Sequence, residues 1–179
     1  MAASDSTKNA IVSGIKELVS KKTLDKVSVI EIANTCGINR NTFYYHFEDK
    51  YDVINWIFYN ELEPVISPYI SEDNWSECVI ALCKRFENEK SFYTNALYDR
   101  CPGSLYQILV DHFKKAFMLS FESHYKCLGI NGNDKELVAR FYSHGTIDML
   151  CDWVSSGMRV DAVDSTRVLN IAIKAGLFN

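Results

Sequence analysis

Apolar residues recur along this chain at spacings of three and four, the period of an α-helix, almost from end to end. Over residues 6–21 the positions Ile11, Ile15, Leu18 and Val19 make one stripe. Val53, Ile54, Ile57 and Phe58 predict a helix over 50–62, ended by Pro64 and Pro68. Val79, Leu82, Cys83 and Phe86 predict one over 74–90, opened by Asn74 with Glu77 in a capping-box-like pair. A short helix over 91–99 is closed by Pro102-Gly103. Longer ones are expected over 104–127, ended by Gly129, and over 134–154, opened by Asn133 and Glu136. A last helix over 164–176 carries Val168, Leu169, Ala172 and Ile173 on one face. No alternating strand pattern persists, so the expected fold is all-α.

Residues 28–50, SVIEIANTCGINRNTFYYHFEDK, carry the densest local signals. Ser28 followed by Glu31 is a capping box that starts a short helix. On that helix Ile30 and Ala33 are expected on one face, with Ile32 and Cys36 to either side. Ala33 is small enough for a close helix crossing. Gly37 stands where a helix ends in the left-handed region. Ile38 anchors the turn, and Asn39 caps a second helix over 40–47. Phe43 and Phe47, four apart, pack inward together. That leaves Arg40, Asn41, Thr42, Tyr44, Tyr45 and His46 as an outer surface. Asp49 caps the helix that follows, with Lys50 in its first turn.

Two short helices about a glycine turn, the second polar and aromatic outside, make a helix-turn-helix suited to the major groove. Arginine makes bidentate contacts to guanine, asparagine to adenine, and threonine touches a thymine methyl. Tyrosine hydroxyls, histidine and helix N-termini more often hold phosphate oxygens, which position the protein without reading sequence. Ser28, Asn39, Arg40, Asn41, Thr42, Tyr44, Tyr45, His46 and Lys50 are therefore the candidate DNA-binding residues, with the Lys50 ammonium expected on a phosphate.

The segment resembles the DNA-binding domain of the TetR family of bacterial transcriptional regulators. The resemblance rests on Ile32-Ala33, Gly37, Tyr44-Tyr45-His46-Phe47 and Lys50 at their fixed spacings, and covers about the first third of the chain. Asn41 departs from the glycine or alanine common in the family, so a different base is expected to be read there. The resemblance implies a tetracycline-repressor-like architecture. An N-terminal three-helix bundle with the helix-turn-helix would occupy residues 1–52. A C-terminal helical regulatory and dimerisation domain would occupy residues 53–179. It implies a homodimeric repressor on a near-palindromic double-stranded operator, released by a small-molecule effector. The run INRNTFYYHF with DKYDVINWIF also resembles a subgroup of dihydroxyacetone-kinase regulators, some of which act with a partner protein as activators. In that alternative the C-terminal domain docks a protein instead of a small ligand.

Charge sharpens this division. Residues 1–60 hold seven of the 19 basic and seven of the 23 acidic side chains, leaving 12 and 16 for the rest. The head is balanced, so its non-specific electrostatic affinity is expected to be modest. The acidity lies C-terminally, away from nucleic acid. Cysteines at 36, 78, 83, 101, 127 and 151 form no C-x-x-C pair and read as reduced thiols of a cytoplasmic protein. No apolar run reaches membrane-spanning length, and MAASDSTKN has no signal-peptide core.

Enzyme chemistry finds no support. His46, His112, His124 and His144 show no metal-binding spacing, and no nucleophile elbow, P-loop or dinucleotide fingerprint occurs. Asp111-His112 and Cys151-Asp152 are neighbours that do not face one another on a helix. No metal and no cofactor is expected. In the C-terminal domain Phe117, Tyr142, His144 and Asp148 are the candidate lining of an effector pocket. Helix 134–154 is apolar on both faces, with Gly145 allowing close approach. It is expected to pair with the last helix and their symmetry mates in a four-helix dimer interface.

Overall fold

The computed structural model describes residues 2–71, 74–124 and 132–159. Among these every regular element is helical. The order is α1 (Ala2–Val19), a 3₁₀ turn (Leu24–Lys26), α2 (Val29–Thr35), α3 (Arg40–His46) and α4 (Lys50–Ile57). A π-helical segment (Phe58–Leu62) then leads into α5 (Glu63–Ser71), α6 (Trp75–Asn88), α7 (Lys90–Ala96), α8 (Leu105–His124) and α9 (Gly132–Ser155). The expected helix over 164–176 and Cys127 lie outside the described residues.

Two compact units result. The first comprises Met1–Glu61 and Glu89–Gln107, the second Leu62–Asn88 and Ile108–Asn179. Both α4 and α7 therefore go with the head, beyond the division at 52/53 drawn from the sequence. The chain leaves the head within the π segment, not at a proline.

The prolines do not end this helical stretch where expected. Pro64 is the second residue of α5, just after the π segment, where the hydrogen-bond register changes. Pro68 lies inside α5, which runs only three residues further, with the Ser71 hydroxyl donating to the Pro68 carbonyl at 2.7 Å. The wider π turn resets the helix just before these residues.

The head core is built from Ile11, Ile15 and Val19 of α1, Leu24, Val27, Ile32 and Ala33, Phe43 and Phe47, and Val53, Ile54, Ile57 and Phe58. Each large side chain buried here contributes about 1.5–3 kcal/mol relative to exposure. Leu18, expected in the stripe, is only half-buried. Ile30 is 54% exposed, while Ile32 is fully buried, so α2 is rotated from the face expected of it. The capping box fixes where α2 starts, and Ile32-Ala33 are then the pair that meets α1. Gly14 permits that approach: a Cβ there would lie 2.5 Å from the Cys36 sulfur.

Both ends of α2 are closed as expected. The Ser28 hydroxyl accepts from the Glu31 N–H at 3.3 Å, and the Ser28 N–H donates to the Glu31 carboxylate at 3.0 Å. At the other end Gly37 has φ +67°, its N–H donates to the Asn34 carbonyl, and the Ile38 N–H donates to the Ala33 carbonyl. This is a Schellman motif, and it turns the chain into α3.

The second unit is an aromatic stack. Trp75 lies parallel on Phe117 with ring centroids 4.1 Å apart, and Phe113, Phe121 and Tyr142 surround them at 5.8–6.5 Å. Each such ring pair adds about 0.5–1.5 kcal/mol beyond its buried area. Cys78 and Cys83 are both buried in α6, and burial pushes both thiols up to about 12. They are unreactive packing groups.

Two predictions test the α2 geometry. Nothing lies within 4 Å of a Cβ on Gly37, so Gly37→Ala pays only for left-handed backbone. It should cost about 1–2 kcal/mol, read as a lower urea midpoint with unchanged slope. Glu31 is held down to about 2, first by the Lys22 ammonium and then by the Ser28 N–H and hydroxyl. A carboxyl depressed on folding stabilises the fold above its ordinary 4.5 and gives this up as pH falls toward 2. Thermal melts across that window should show a loss that Glu31→Gln flattens.

Candidate nucleic-acid interface

The outer surface of α3 follows from what is buried beneath it. Phe43 is fully buried and Phe47 3% exposed, their rings 6.1 Å apart. Residues four apart share a helical face, so burying this pair turns Arg40, Asn41, Tyr44 and Tyr45 outward. All four are exposed, Tyr45 by 82%. Thr42 and His46, expected alongside them, are half-buried at the margins. The His46 ring meets the edge of Tyr45 at 5.0 Å.

Four of the nine candidate residues, Ser28, Asn39, Thr42 and Lys50, have their polar groups engaged within the fold. Asn39 caps α3, its Oδ1 accepting from the Thr42 N–H at 2.8 Å and from the Thr42 hydroxyl at 3.1 Å. The Ser28 hydroxyl donates to Glu31 at 2.9 Å within the capping box. Lys50 departs furthest from expectation. Its ammonium donates to the carbonyls of Leu24, Asp25 and Val27 at 2.8, 2.9 and 3.0 Å. A lysine has three N–H donors, so the 3₁₀ turn uses all of them. This arrangement ties the entry to α2 onto the start of α4.

Arg40 and Tyr44 form a pair along the exposed face. The Tyr44 hydroxyl accepts from Arg40 Nε at 3.3 Å and Nη2 at 2.9 Å, and the guanidinium carbon lies 5.2 Å from the ring centre. Lys8 of α1 adds a cation above Phe47, 5.7 Å from the ring centre.

Sequence reading missed a set of long-range polar ties within the head. Lys16 of α1 bridges Glu61 and Glu89, with oxygens at 2.5 and 3.0 Å. Asn95 of α7 donates to the Val19 carbonyl at 2.7 Å, capping the end of α1. The Tyr51 hydroxyl of α4 donates to the buried Asp99 carboxylate at 3.0 Å, and the Cys101 N–H donates to the same group at 2.8 Å. Burial first, and then Asp99, pushes the Tyr51 phenol above its usual range. Apart from Cys101 and Asp99, these partners lie 45 to 76 residues apart, so no local pattern announces them.

The four residues expected to line an effector pocket do not converge. Phe117 and Tyr142 face each other in the aromatic stack, 5.8 Å apart. His144 borders an open groove of about 450 Å³ with Leu137, Arg140, Phe141 and Gly145. Asp148, one turn on, is exposed. The reason is helical geometry: residues 142 and 144 are about 200° apart around the axis and serve opposite faces of α9. The outer face carries exposed Leu137 (62%), Phe141 (73%) and Met149 (38%). Among the described residues no cluster of three or more His, Cys, Asp or Glu is placed to hold a metal ion. No described helix is long and apolar enough to cross a membrane.

The Lys50 arrangement gives a test. Lys50→Ala should destabilise the head by about 1–3 kcal/mol, because the Leu24, Asp25 and Val27 carbonyls lose a charged donor. The salt dependence of DNA binding should stay near that of the parent, measured where both proteins are folded. A flattened salt slope at unchanged stability would return the ammonium to a phosphate.

Comparison with known proteins agrees with this geometry. Residues 11–55 match the family described as bacterial regulatory proteins, tetR family, and residues 73–175 match a transcriptional regulator C-terminal region. The HTH-type dhaKLM operon transcriptional activator DhaS of Lactococcus lactis subsp. lactis (strain IL1403) is 27% identical over 87 residues. That match spans 49% of this chain and 46% of the relative, about half of each. Among solved structures, dihydroxyacetone kinase operon activator DhaS superposes with a TM-score of 0.60 at 16% identity, covering 92% of this chain and 93% of that one. The fatty acid degradation regulator FadR from Bacillus halodurans gives 0.64 at 14% identity, covering 97% of each. At these identities the two structures share the fold. With both halves matched, the chain belongs to the TetR family of bacterial transcriptional regulators.

Proposed function

We propose that this regulator works as a homodimer whose two α3 helices enter the major groove at the half-sites of a near-palindromic operator. One observation carries the reading. Arg40, Asn41, Tyr44 and Tyr45 stand exposed together on a helix whose opposite side is anchored by Phe43 and Phe47. Arg40 and Asn41 supply the fork and amide that pair with guanine and adenine edges, while Tyr44, Tyr45 and His46 suit sugar–phosphate contacts. Ser28, Asn39, Thr42 and Lys50 support that surface from within the fold. A cytoplasmic location follows from this role, and no catalytic step, metal or cofactor is part of it.

The dimer face proposed is the outer side of α9, where Leu137, Phe141 and Met149 are exposed around Gly145. Occupying the operator represses, and a small-molecule effector that prefers another body conformation releases it. Such an effector acts only through its differential affinity for the two states.

A second reading has its own support. The body packs Trp75, Phe113, Phe117, Phe121 and Tyr142 against one another, and three exposed apolar side chains, Leu137, Phe141 and Met149, lie on the outer face of α9. That arrangement favours a docked protein over an enclosed ligand. The DhaS relative is by name an activator. In this reading the chain activates with a protein partner.

Selection of bound genomic fragments by the purified protein tests the core of both. A two-fold symmetric site with half-sites about one helical turn apart is expected, together with a dimer by sedimentation at micromolar concentration. Arg40→Ala should cost about 1–3 kcal/mol on the operator and little on random duplex. Equal losses on both would reassign Arg40 to the backbone. Transcription in vitro with polymerase and operator alone separates repression from partner-dependent activation.

A further inference from the structure

We propose that Tyr44 is a positioning residue for base recognition: it presents the Arg40 guanidinium end-on, so that one base pair of each half-site is read as guanine. The inference rests on the DNA-binding reading of α3 and names how that face discriminates sequence. Arg40 opens α3 and Tyr44 follows one turn later, so the two side chains lie on the same face.

The contact is a defined one. The Tyr44 oxygen accepts from both Nε and Nη2, and the guanidinium carbon stands 5.2 Å from the ring centre. Nε–H and one N–H of Nη2 form the side-on edge of the guanidinium. Tyr44 occupies that edge. The end-on edge, one N–H from each terminal nitrogen, is left over from the five donors of the group. That edge has the spacing that matches O6 and N7 of guanine.

Tyr44 is itself held. Its ring meets the fully buried Phe43 edge-on at 5.6 Å, and only 43% of the residue is exposed. A chain of contacts thus runs from the head core through Phe43 and Tyr44 to the guanidinium. An exposed arginine samples many rotamers, and ordering it on binding costs affinity. Tyr44 removes part of that cost before DNA arrives. The same hydroxyl still carries its own hydrogen, which can donate to a phosphate oxygen. The base contact is then in register with the backbone.

The competing account is that Tyr44 contacts phosphate and has no bearing on Arg40. The two accounts differ in which duplexes suffer. The experiment uses the full chain and an operator selected from a random duplex pool. Affinities are measured for the parent, Arg40→Ala, Arg40→Lys, Tyr44→Phe and the Arg40→Ala/Tyr44→Phe double variant. Each is tested against every single base-pair change in one half-site, at several salt concentrations.

Tyr44→Phe should lower discrimination about tenfold at the one base pair where Arg40→Ala also loses it, leaving other positions and the salt slope unchanged. Arg40→Lys should lose the same discrimination while keeping the slope, since a point charge lacks the fork. In the Arg40→Ala background Tyr44→Phe should change nothing further at that base pair. Uniform weakening of all duplexes by Tyr44→Phe, with discrimination intact, would overturn the proposal. So would additive effects in the double variant. If the parent protein selects no sequence at all, the reading of α3 itself fails, an outcome distinct from any behaviour of Tyr44.

Discussion

The burial of Phe43 and Phe47 is the constraint on which the recognition surface depends. A helix of seven residues has too few internal hydrogen bonds to form alone. It exists because Asn39 caps one end and two phenylalanines bury the inner side in the head core. The residues left over have no choice of direction. Arg40, Asn41, Tyr44 and Tyr45 face out because the intervening positions face in, and their chemistry becomes available to a partner that fits a convex helical ridge.

Around this ridge the head is tied by polar contacts between segments remote in sequence. Lys50 gathers three carbonyls of the 3₁₀ turn and so links the approach to α2 with the first turn of α4. Lys16 neutralises much of the repulsion between Glu61 and Glu89 by standing between them. Asn95 and Asp99 draw α7 and the loop after it onto α1 and α4. The Asp99 carboxylate is nearly fully buried, and its two donors offset the cost of desolvating it. Together these ties make α7 and the loop after it part of the head.

The body divides its α9 helix between two tasks. Ala139, Ser143, Ile147, Leu150 and Val154 are buried, while Leu137, Phe141 and Met149 are exposed. A helix apolar on both sides needs a second surface to cover the outer one. That requirement supports the homodimer and the docked partner alike, and both meet it by the same burial of apolar area.

The chain by itself determined the helical period, the capping box at Ser28 and Glu31, the glycine turn at Gly37, the Asn39 and Asp49 caps and the inward pair Phe43 and Phe47. Each of these is a local preference acting over four or five residues, so the sequence displays it directly. Tertiary structure decided the rest. It turned Ile32 in and Ile30 out, since only contact with α1 defines which side of α2 is inside. It carried the chain past Pro64 and Pro68: Pro64 comes just after the π segment, and α5 ends three residues after Pro68. It brought the Lys50 ammonium onto three carbonyls and set Phe117 and Tyr142 apart from His144 and Asp148. Those outcomes depend on which distant segments meet, and pairings across 45 to 76 residues leave no trace in a local pattern.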